Sequence, residues 1–210
     1  MEIKKELNSL YENGFLYVEN LYDPTELITD VPTERGKYDY YGKIDKVVYS
    51  PEEGQVKDCF SRYNYPPYQH IHNNIRVQVE KILGIDLFNT YYFDRFYFVN
   101  QELTKHFDRD ACEISVSLHI SSNTKHCWPL FFKSSNGKIN KVNMKEGDGV
   151  IYLGCDIEHW REPLESKYSK IQRKINSWLK KSDDTYYHQI FFHYVNANGK
   201  RVQFAFDKGR

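Results

Sequence analysis

The chain has 210 residues, of which 40% are hydrophobic and 16% aromatic, and its 29 Lys plus Arg are balanced by 29 Asp plus Glu. This balance excludes a strong overall field, so we expect neither nucleic acid nor an anionic membrane as a partner. The length suits one substantial core, no apolar run could span a bilayer, and the amino terminus lacks the apolar region of a signal peptide, so we expect a cytoplasmic protein.

The first part of the chain predicts helices that support a sheet. Helical spacing of apolar residues predicts a helix over 2–12, which ends before a strand over 15–18, and a short helix follows from Pro24. The segment 29–55 carries glycine, proline, tyrosine and charged residues without periodicity, so we expect a lid-like loop there. After Pro66 apolar residues recur nearly every turn up to Gly84, which predicts a second supporting helix.

Short strands dominate from residue 89 onward. Alternating apolar residues predict strands at about 90–99, 112–120, 127–132, 150–153, 188–195 and 201–206. Strands that follow helices favour a mainly β protein with flanking helices (α+β), built as a two-sheet jelly roll.

The interval 165–186 interrupts this rhythm of strands. Ile171, Ile175 and Trp178 have helical spacing among many lysines and arginines, which predicts an inserted basic amphipathic helix. Two roles stay open for it: a solvated face that covers the barrel rim, or a docking surface for an acidic partner.

A His-x-Asp triplet and a distant histidine form the most informative pattern. His106 and Asp108 lie between two strand-like runs, and His159 follows 53 positions after His106 (159 minus 106). A turn over 146–149 and an apolar run over 150–153 lead toward His159. Two imidazoles and one carboxylate can hold one face of an octahedral ferrous ion, which predicts an oxidation site. Each histidine alone could equally be an ordinary surface or hydrogen-bonded residue, because short motifs often match by chance.

Taken together, these segments resemble the iron(II)- and 2-oxoglutarate-dependent oxygenases, particularly the prolyl-hydroxylase-like branch. The resemblance includes Asn13-Gly-Phe-Leu-Tyr-Val-Glu-Asn20, Arg95-Phe-Tyr-Phe before the triplet, and His159-Trp-Arg-Glu-Pro163. It implies a double-stranded β-helix (jelly-roll or cupin-like) core with supporting N-terminal helices, in a single domain over 1–210. It also implies that His106, Asp108 and His159 are the catalytic residues that bind Fe(II).

The resemblance further implies that the distal carboxylate of 2-oxoglutarate meets a cation inside the barrel. The family usually supplies this cation on the strand after the distal histidine, but the strand 189–195 contains none. Arg161 is our first candidate and Lys167 the second, ahead of Arg95 and Arg201. Arginine matches a carboxylate well through two parallel hydrogen bonds. The alternative for Arg161 is a surface ion pair with a neighbouring glutamate.

Two further positions match family residues that hold the co-substrate. Tyr97 corresponds to a position whose hydroxyl often contacts 2-oxoglutarate, and His119 to a position that commonly carries a tyrosine. Either side chain could donate a hydrogen bond to a carboxylate oxygen. Ordinary packing is the alternative for both residues.

The resemblance therefore implies an O2-dependent hydroxylase that releases succinate and carbon dioxide. It favours a protein or peptide side chain as the substrate, and small molecules stay open because similar barrels accept many substrates. Two other classes remain: a jelly-roll module that binds a ligand without turnover, and a non-redox metal protein that holds Zn(II) tetrahedrally.

Overall fold

Two antiparallel sheets dominate the computed structural model, which describes residues 2–32, 48–49, 55–56 and 59–207. Their strands are β1 (Phe15–Val18), β2 (Val48–Tyr49), β3 (Phe60–Tyr63), β4 (Leu87–Phe98), β5 (Leu103–His106), β6 (Ile114–Ser122), β7 (Leu130–Lys133), β8 (Ile139–Val142), β9 (Gly149–Tyr152), β10 (Glu158–Arg161) and β11 (Tyr186–Asn196). The larger sheet has the order β1-β9-β6-β11-β4-β3-β2, and the smaller sheet has the order β5-β10-β7-β8. The predicted jelly roll is therefore confirmed.

Three helices accompany the sheets in the described part of the chain: α1 (Glu2–Asn13), α2 (Gln69–Leu83) and α3 (Lys170–Trp178). The second begins after a 3-10 turn, Pro66–Tyr68, because proline fits the start of a helix. It ends at Gly84, whose left-handed φ of 68° lets its N–H bond the Glu80 carbonyl. The two predicted supporting helices are thus present.

Apolar residues pack on both sides of the larger sheet. The outer side contacts the helices through a cluster that includes Ile71, Ile75 and Val79 of α2. The inner side faces the smaller sheet, and this second cluster contains Tyr97, Phe132, Tyr152 and Tyr187. These aromatic side chains come from strands of both sheets, so the space between the sheets is the core in which the candidate site lies.

One predicted strand is wrong and one expectation lies outside the described residues. Residues 201–206 alternate in polarity, yet Val202–Phe204 forms a 3-10 turn, and Phe206 (φ 62°) makes a single backbone hydrogen bond to Asn89. Most of the expected lid, 33–47 and 50–54, is not described. No described helix is long and apolar enough to cross a bilayer.

Candidate metal centre

The fold brings the three predicted metal ligands together. His159 on β10 lies directly opposite His106 at the end of β5, and the two ring centroids are 4.2 Å apart. Asp108 Oδ1 is 3.4 Å from His106 Nε2 and 3.6 Å from His159 Nε2. One potential ligand atom from each residue lies within 4.8 Å of the others. Such a cluster can hold one metal ion.

Both imidazoles have the tautomer that a metal site requires. His106 Nδ1 lies 2.7 Å from the Thr104 carbonyl oxygen, and His159 Nδ1 lies 3.0 Å from the Ile157 carbonyl oxygen. Because a carbonyl can only accept, each Nδ1 carries the proton and donates it. Each Nε2 then carries a free lone pair that faces Asp108 Oδ1, as in proteins whose histidines bind metals. The residues present therefore fit an Fe(II) ion.

The charges of these ligands also suit metal binding. Burial lowers the pKa of His159 to about 4, although the charge of Asp108 opposes this shift. Burial alone would raise the pKa of Asp108, but the neighbouring His159 and His106 hold it well below its ordinary value. At neutral pH the histidine is therefore neutral and the aspartate ionised, which are the forms that bind metal.

A second set of contacts fixes the Asp108 carboxylate. The Asp108 N–H donates to the Gly154 carbonyl at 2.8 Å, and Ser115 Oγ donates to Asp108 Oδ2 at 3.1 Å. Ser115 Oγ also lies 2.9 Å from His193 Nδ1. The carboxylate thus presents Oδ1 to the two metal-facing imidazoles while Oδ2 is held by Ser115.

Asp108 also belongs to a second group of possible ligands. Cys112 and His193 each place one donor atom within 4.8 Å of the carboxylate and of each other. Tyr91 Oη lies 3.2 Å from Cys112 Sγ, and burial raises the pKa of this thiol well above its ordinary value. A protonated thiol is a poor ligand, so this group suits a metal less well than the triad does.

Arg161 of β10 lies between the sheets, where it contacts Gln189 of β11. Its side chain is 1% exposed, so the alternative of a surface ion pair is wrong. The guanidinium donates to the Trp128 carbonyl and, at 2.8 Å, to Gln189 Oε1, and it stacks over the rings of Trp128 and Tyr187. Its Nε is buried without a partner among the described residues.

Tyr97 and His119 belong to the same neighbourhood. Tyr97 pairs with Tyr187 across β4 and β11, and the His119 ring stacks on Tyr187 with centroids 4.1 Å apart. His119 Nδ1 lies 3.2 Å from the Met144 carbonyl oxygen, whereas its buried Nε2 has no partner among the described residues. With its proton on Nδ1, His119 can donate from Nε2 only in its protonated form.

Of the other proposed cations, Lys167 and Arg201 pair with aspartates elsewhere, whereas Arg95 borders this neighbourhood at Tyr97. Lys167 Nζ pairs with Asp184 at 2.8 Å, beside α3. Arg201 Nε pairs with Asp110 at 3.1 Å. Arg95 is buried, where its Nε donates to Ser61 and its Nη1 lies 3.5 Å from Tyr97 Oη. Among the four proposed cations, Arg161 is the nearest in sequence to a histidine ligand, two residues from His159 on β10.

Some residues of the pocket were not predicted from the sequence. Gln189 holds the Arg161 guanidinium and donates to Ser117, while Trp128 provides both a carbonyl and an aromatic face. The available signal was a glutamine within a strand rich in apolar and aromatic residues, where a buried amide requires a hydrogen-bond partner.

Comparison with solved structures identifies the fold. A prolyl-4-hydroxylase from Pseudomonas putida aligns with a TM-score of 0.57 and 11% identity, covering 92% of this chain and 98% of that one. A Trichoplax adhaerens prolyl hydroxylase, solved with a hypoxia-inducible-factor peptide, aligns with a TM-score of 0.60 and 12% identity, covering 96% of this chain and 91% of that one. HygX from Streptomyces hygroscopicus, solved with nickel and 2-oxoglutarate, aligns with a TM-score of 0.61 and 9% identity, covering 99% of this chain and 89% of that one.

No protein-family model and no curated protein sequence matches the chain. The structural likenesses, at 9 to 12% identity, show that it has the fold of the 2-oxoglutarate-Fe(II) oxygenases. The recognition made from the sequence is confirmed at this level.

Proposed function

We propose that the chain is an Fe(II)- and 2-oxoglutarate-dependent dioxygenase that hydroxylates an unactivated C–H bond and releases succinate and carbon dioxide. The observation that carries this proposal is the convergence of two Nε2 lone pairs and one carboxylate oxygen between the sheets. His106, Asp108 and His159 would hold the ion and leave coordination positions for the co-substrates. Bound ferrous iron would supply the oxidation chemistry, with 2-oxoglutarate as the reductant and O2 as the oxidant.

Arg161 supports 2-oxoglutarate as the co-substrate. A buried guanidinium is costly unless an anion compensates its charge. The buried Arg62 meets this requirement through Asp94, whereas no carboxylate among the described residues pairs with Arg161. A dicarboxylate whose far end reaches Arg161 would supply the missing charge and occupy the free Nε. Tyr97 and His119 would line the same end of the pocket.

The protein groups position the reactants and exclude water in this scheme. Trp128 and Tyr187 form aromatic walls around the Arg161 guanidinium, Tyr97 packs edge-on against Trp128, and all three are buried. No side chain needs to act as the principal acid or base, because the metal centre performs the oxidation.

A protein or peptide side chain is the proposed substrate, as in the prolyl-hydroxylase-like branch that the sequence resembles. The fold supports this class only by analogy, since one barrel hosts many substrates. A screen for succinate release should therefore include proline-containing peptides and small metabolites. No nucleic-acid partner is proposed, and a cytoplasmic location stays a prediction from the sequence.

Anaerobic titration followed by turnover tests the proposal. Addition of Fe(II) and then 2-oxoglutarate should produce a visible charge-transfer absorption, and exposure to oxygen should release succinate. His106→Ala and Asp108→Ala should lose metal binding completely in calorimetry. His70→Ala, which changes an exposed histidine beside Glu26, is the matched control and should bind normally.

Two results would contradict the proposal in different ways. A chain that binds 2-oxoglutarate but never yields succinate, with any substrate screened, would be a binding module. A tetrahedral Co(II) spectrum, together with indifference to 2-oxoglutarate, would indicate a zinc-type site.

A further inference from the structure

The helix α3 exposes a large apolar surface. Trp178 is 82% exposed, Ile171 72% and Ile175 50%, and Leu179 at the helix end is 47% exposed. No residue of this helix is buried. The spacing i, i+4, i+7 places Ile171, Ile175 and Trp178 on one face. An aliphatic and aromatic face left in water is unusual for a helix whose only role is to cover a sheet.

The segment that carries α3 is fixed at its base. Ser166 Oγ donates to Asp183, and the Lys167 N–H donates to Thr185 Oγ1 at 3.0 Å. Ser169 and Gln172 form a capping box at the first turn. The helix is therefore already formed when a partner arrives, so little ordering entropy opposes binding.

The charge of α3 has a single sign. Residues 170–181 contain five cations and no acidic residue, namely Lys170, Arg173, Lys174, Lys180 and Lys181. All five are exposed. The zero net charge of the whole chain thus conceals a strongly basic projection at one place.

We propose that α3 binds the surface of an anionic lipid bilayer, with Ile171, Ile175 and Trp178 inserted at the headgroup level. A short basic helix with a narrow apolar face and an interfacial tryptophan has the composition of helices that lie in this plane. The proposal departs from the expectation of no membrane partner, which rested on net charge alone.

Two other occupants fit the charges less well. A second copy of the chain would bring ten cations together (five from residues 170–181 of each copy), which repel one another. An acidic protein groove contacts mainly the residues that flank the apolar face, whereas helical spacing places Arg173 on the opposite side of α3. A bilayer potential extends about 8–10 Å from the surface, close to the diameter of a helix with its side chains, and so reaches that cation.

The helix α3 is connected to the candidate metal centre through β10. The chain leaves β10 at Arg161, which pairs with Leu103, whereas His159 pairs with His106 at the metal centre. The helix follows from the Arg161 end.

Cosedimentation of the full chain with vesicles tests this inference. We expect association with phosphatidylcholine vesicles that contain about one third phosphatidylserine, and at least 100-fold weaker association with pure phosphatidylcholine, since each cation near the surface contributes about fivefold. Lys170→Gln, Lys174→Gln and Lys181→Gln combined should weaken the association about 100-fold. Ile171→Ser with Trp178→Ser should weaken it at least tenfold because inserted apolar area is lost.

The matched control neutralises three exposed lysines elsewhere, Lys138→Gln, Lys141→Gln and Lys145→Gln, and should change association less than threefold. Circular dichroism should show all variants folded, because the altered side chains are exposed. Equal loss in the control, equal binding to neutral vesicles, or no binding at low salt would overturn the proposal. The last result would favour an acidic protein groove instead.

Discussion

Gly154 determines how closely the chain can pack against the Asp108 carboxylate. A Cβ at this position would lie 2.4 Å from Asp108 Oδ2, 2.4 Å from the Cys112 carbonyl oxygen and 2.7 Å from Ser115 Oγ. Two of these atoms hold or form the metal ligand, and the third is backbone that cannot move aside easily. The requirement for glycine here is therefore steric and local to the candidate metal centre.

Gly154→Ala should weaken metal binding without removing any ligand. The added methyl group must displace the carboxylate, which should lower Fe(II) affinity about 10- to 100-fold, in the range found for residues that orient metal ligands. Overpacking should also destabilise the fold by about 1–3 kcal/mol. Calorimetry and urea unfolding would measure the two effects.

Gly137→Ala is the control for a general cost of replacing glycine. Its Cβ would meet no atom within 4 Å, but its φ of 80° strains any other residue. This variant should lose about 1 kcal/mol of stability and keep its metal affinity. If both variants bound metal normally, the close packing of residue 154 against the Asp108 carboxylate would not be needed for metal affinity.

Arg161→Lys separates charge from geometry in the proposed co-substrate pocket. Lysine keeps the positive charge but loses the planar fork that bonds two carboxylate oxygens. Loss of one charged hydrogen bond, about 1.5–3 kcal/mol, should raise KM for 2-oxoglutarate about 10- to 100-fold. Metal affinity should stay unchanged, because Arg161 makes no contact with the three ligands.

Lys167→Gln tests the second candidate in the same assay. The ammonium is already paired with Asp184, and the side chain stacks over Tyr168, so its loss should change KM less than threefold. A larger effect for Lys167 than for Arg161 would indicate that the distal carboxylate of 2-oxoglutarate binds at Lys167, near the base of α3.

At the scale of elements, the sequence predicted helices and long strands well and short polar strands poorly. The strands β4 and β11 have many apolar and aromatic residues, and both were predicted near their observed positions. The strands β3 and β8 have the sequences FSRY and INKV, whose pattern over four residues is too short to recognise. Their strand conformation comes from pairing with β4 and β7, which is a long-range effect.

The candidate site shows the same division between local and distant information. His106 and His159 could be predicted because each follows a recognisable strand or turn signal. Gln189 and Trp128 could not, since their contact with Arg161 joins positions 28 and 33 residues away along the chain. Prediction of such contacts requires the strand pairing, which local periodicity does not determine.

The helix α2 carries a buried histidine that should make stability depend on pH. His72 is 3% exposed, lies 3.2 Å from the His193 carbonyl oxygen, and contacts the rings of Tyr92 and Tyr194. Burial lowers its pKa from 6.5 to about 3. Because the folded pKa is below the unfolded one, the folded state favours the neutral ring, and stability is lost as pH falls from about 6.5 toward 3.

His72→Gln should flatten this dependence. Removal of the titrating ring should reduce the slope of unfolding free energy against pH by up to about 1.4 kcal/mol per pH unit within that window. Urea unfolding at several pH values between 7 and 4 would measure it. His70→Gln, on the exposed side of the same helix, should leave the slope as it is. Parallel slopes for wild type and His72→Gln would show that another group controls acid stability.

At the scale of the molecule, buried charges fall into two classes. Asp94 on β4 accepts from Arg62 on β3, and its Oδ2 lies 2.7 Å from His188 Nε2 on β11, so this cluster joins three strands and pairs its buried carboxylate with a cation within the fold. Burial alone would raise the pKa of Asp94, but Arg62 and His188 lower it overall. The metal triad and Arg161 differ, since their free lone pairs and free N–H require ligands from outside. We infer that the first class stabilises the structure and the second binds ligands.

Metal binding should therefore stabilise the whole molecule. An ion held by His106, Asp108 and His159 would connect β5 and β10 with the loop that leads to β6 of the larger sheet. A ligand at 100 times its Kd stabilises the folded state by about 2.7 kcal/mol. For a chain of this size that corresponds to an increase in Tm of roughly 5–10 °C. Anaerobic thermal unfolding with and without Fe(II) would measure the increase.

The variants decide which group of residues produces that increase. His106→Ala should show no shift in Tm with Fe(II), because two remaining ligands bind the ion too weakly at the same concentration. Cys112→Ala should keep the full shift, since its thiol belongs only to the second group with Asp108 and His193. The reverse pattern, a shift kept in His106→Ala and lost in Cys112→Ala, would place the ion in the second group and remove the basis for the proposed oxygenase chemistry.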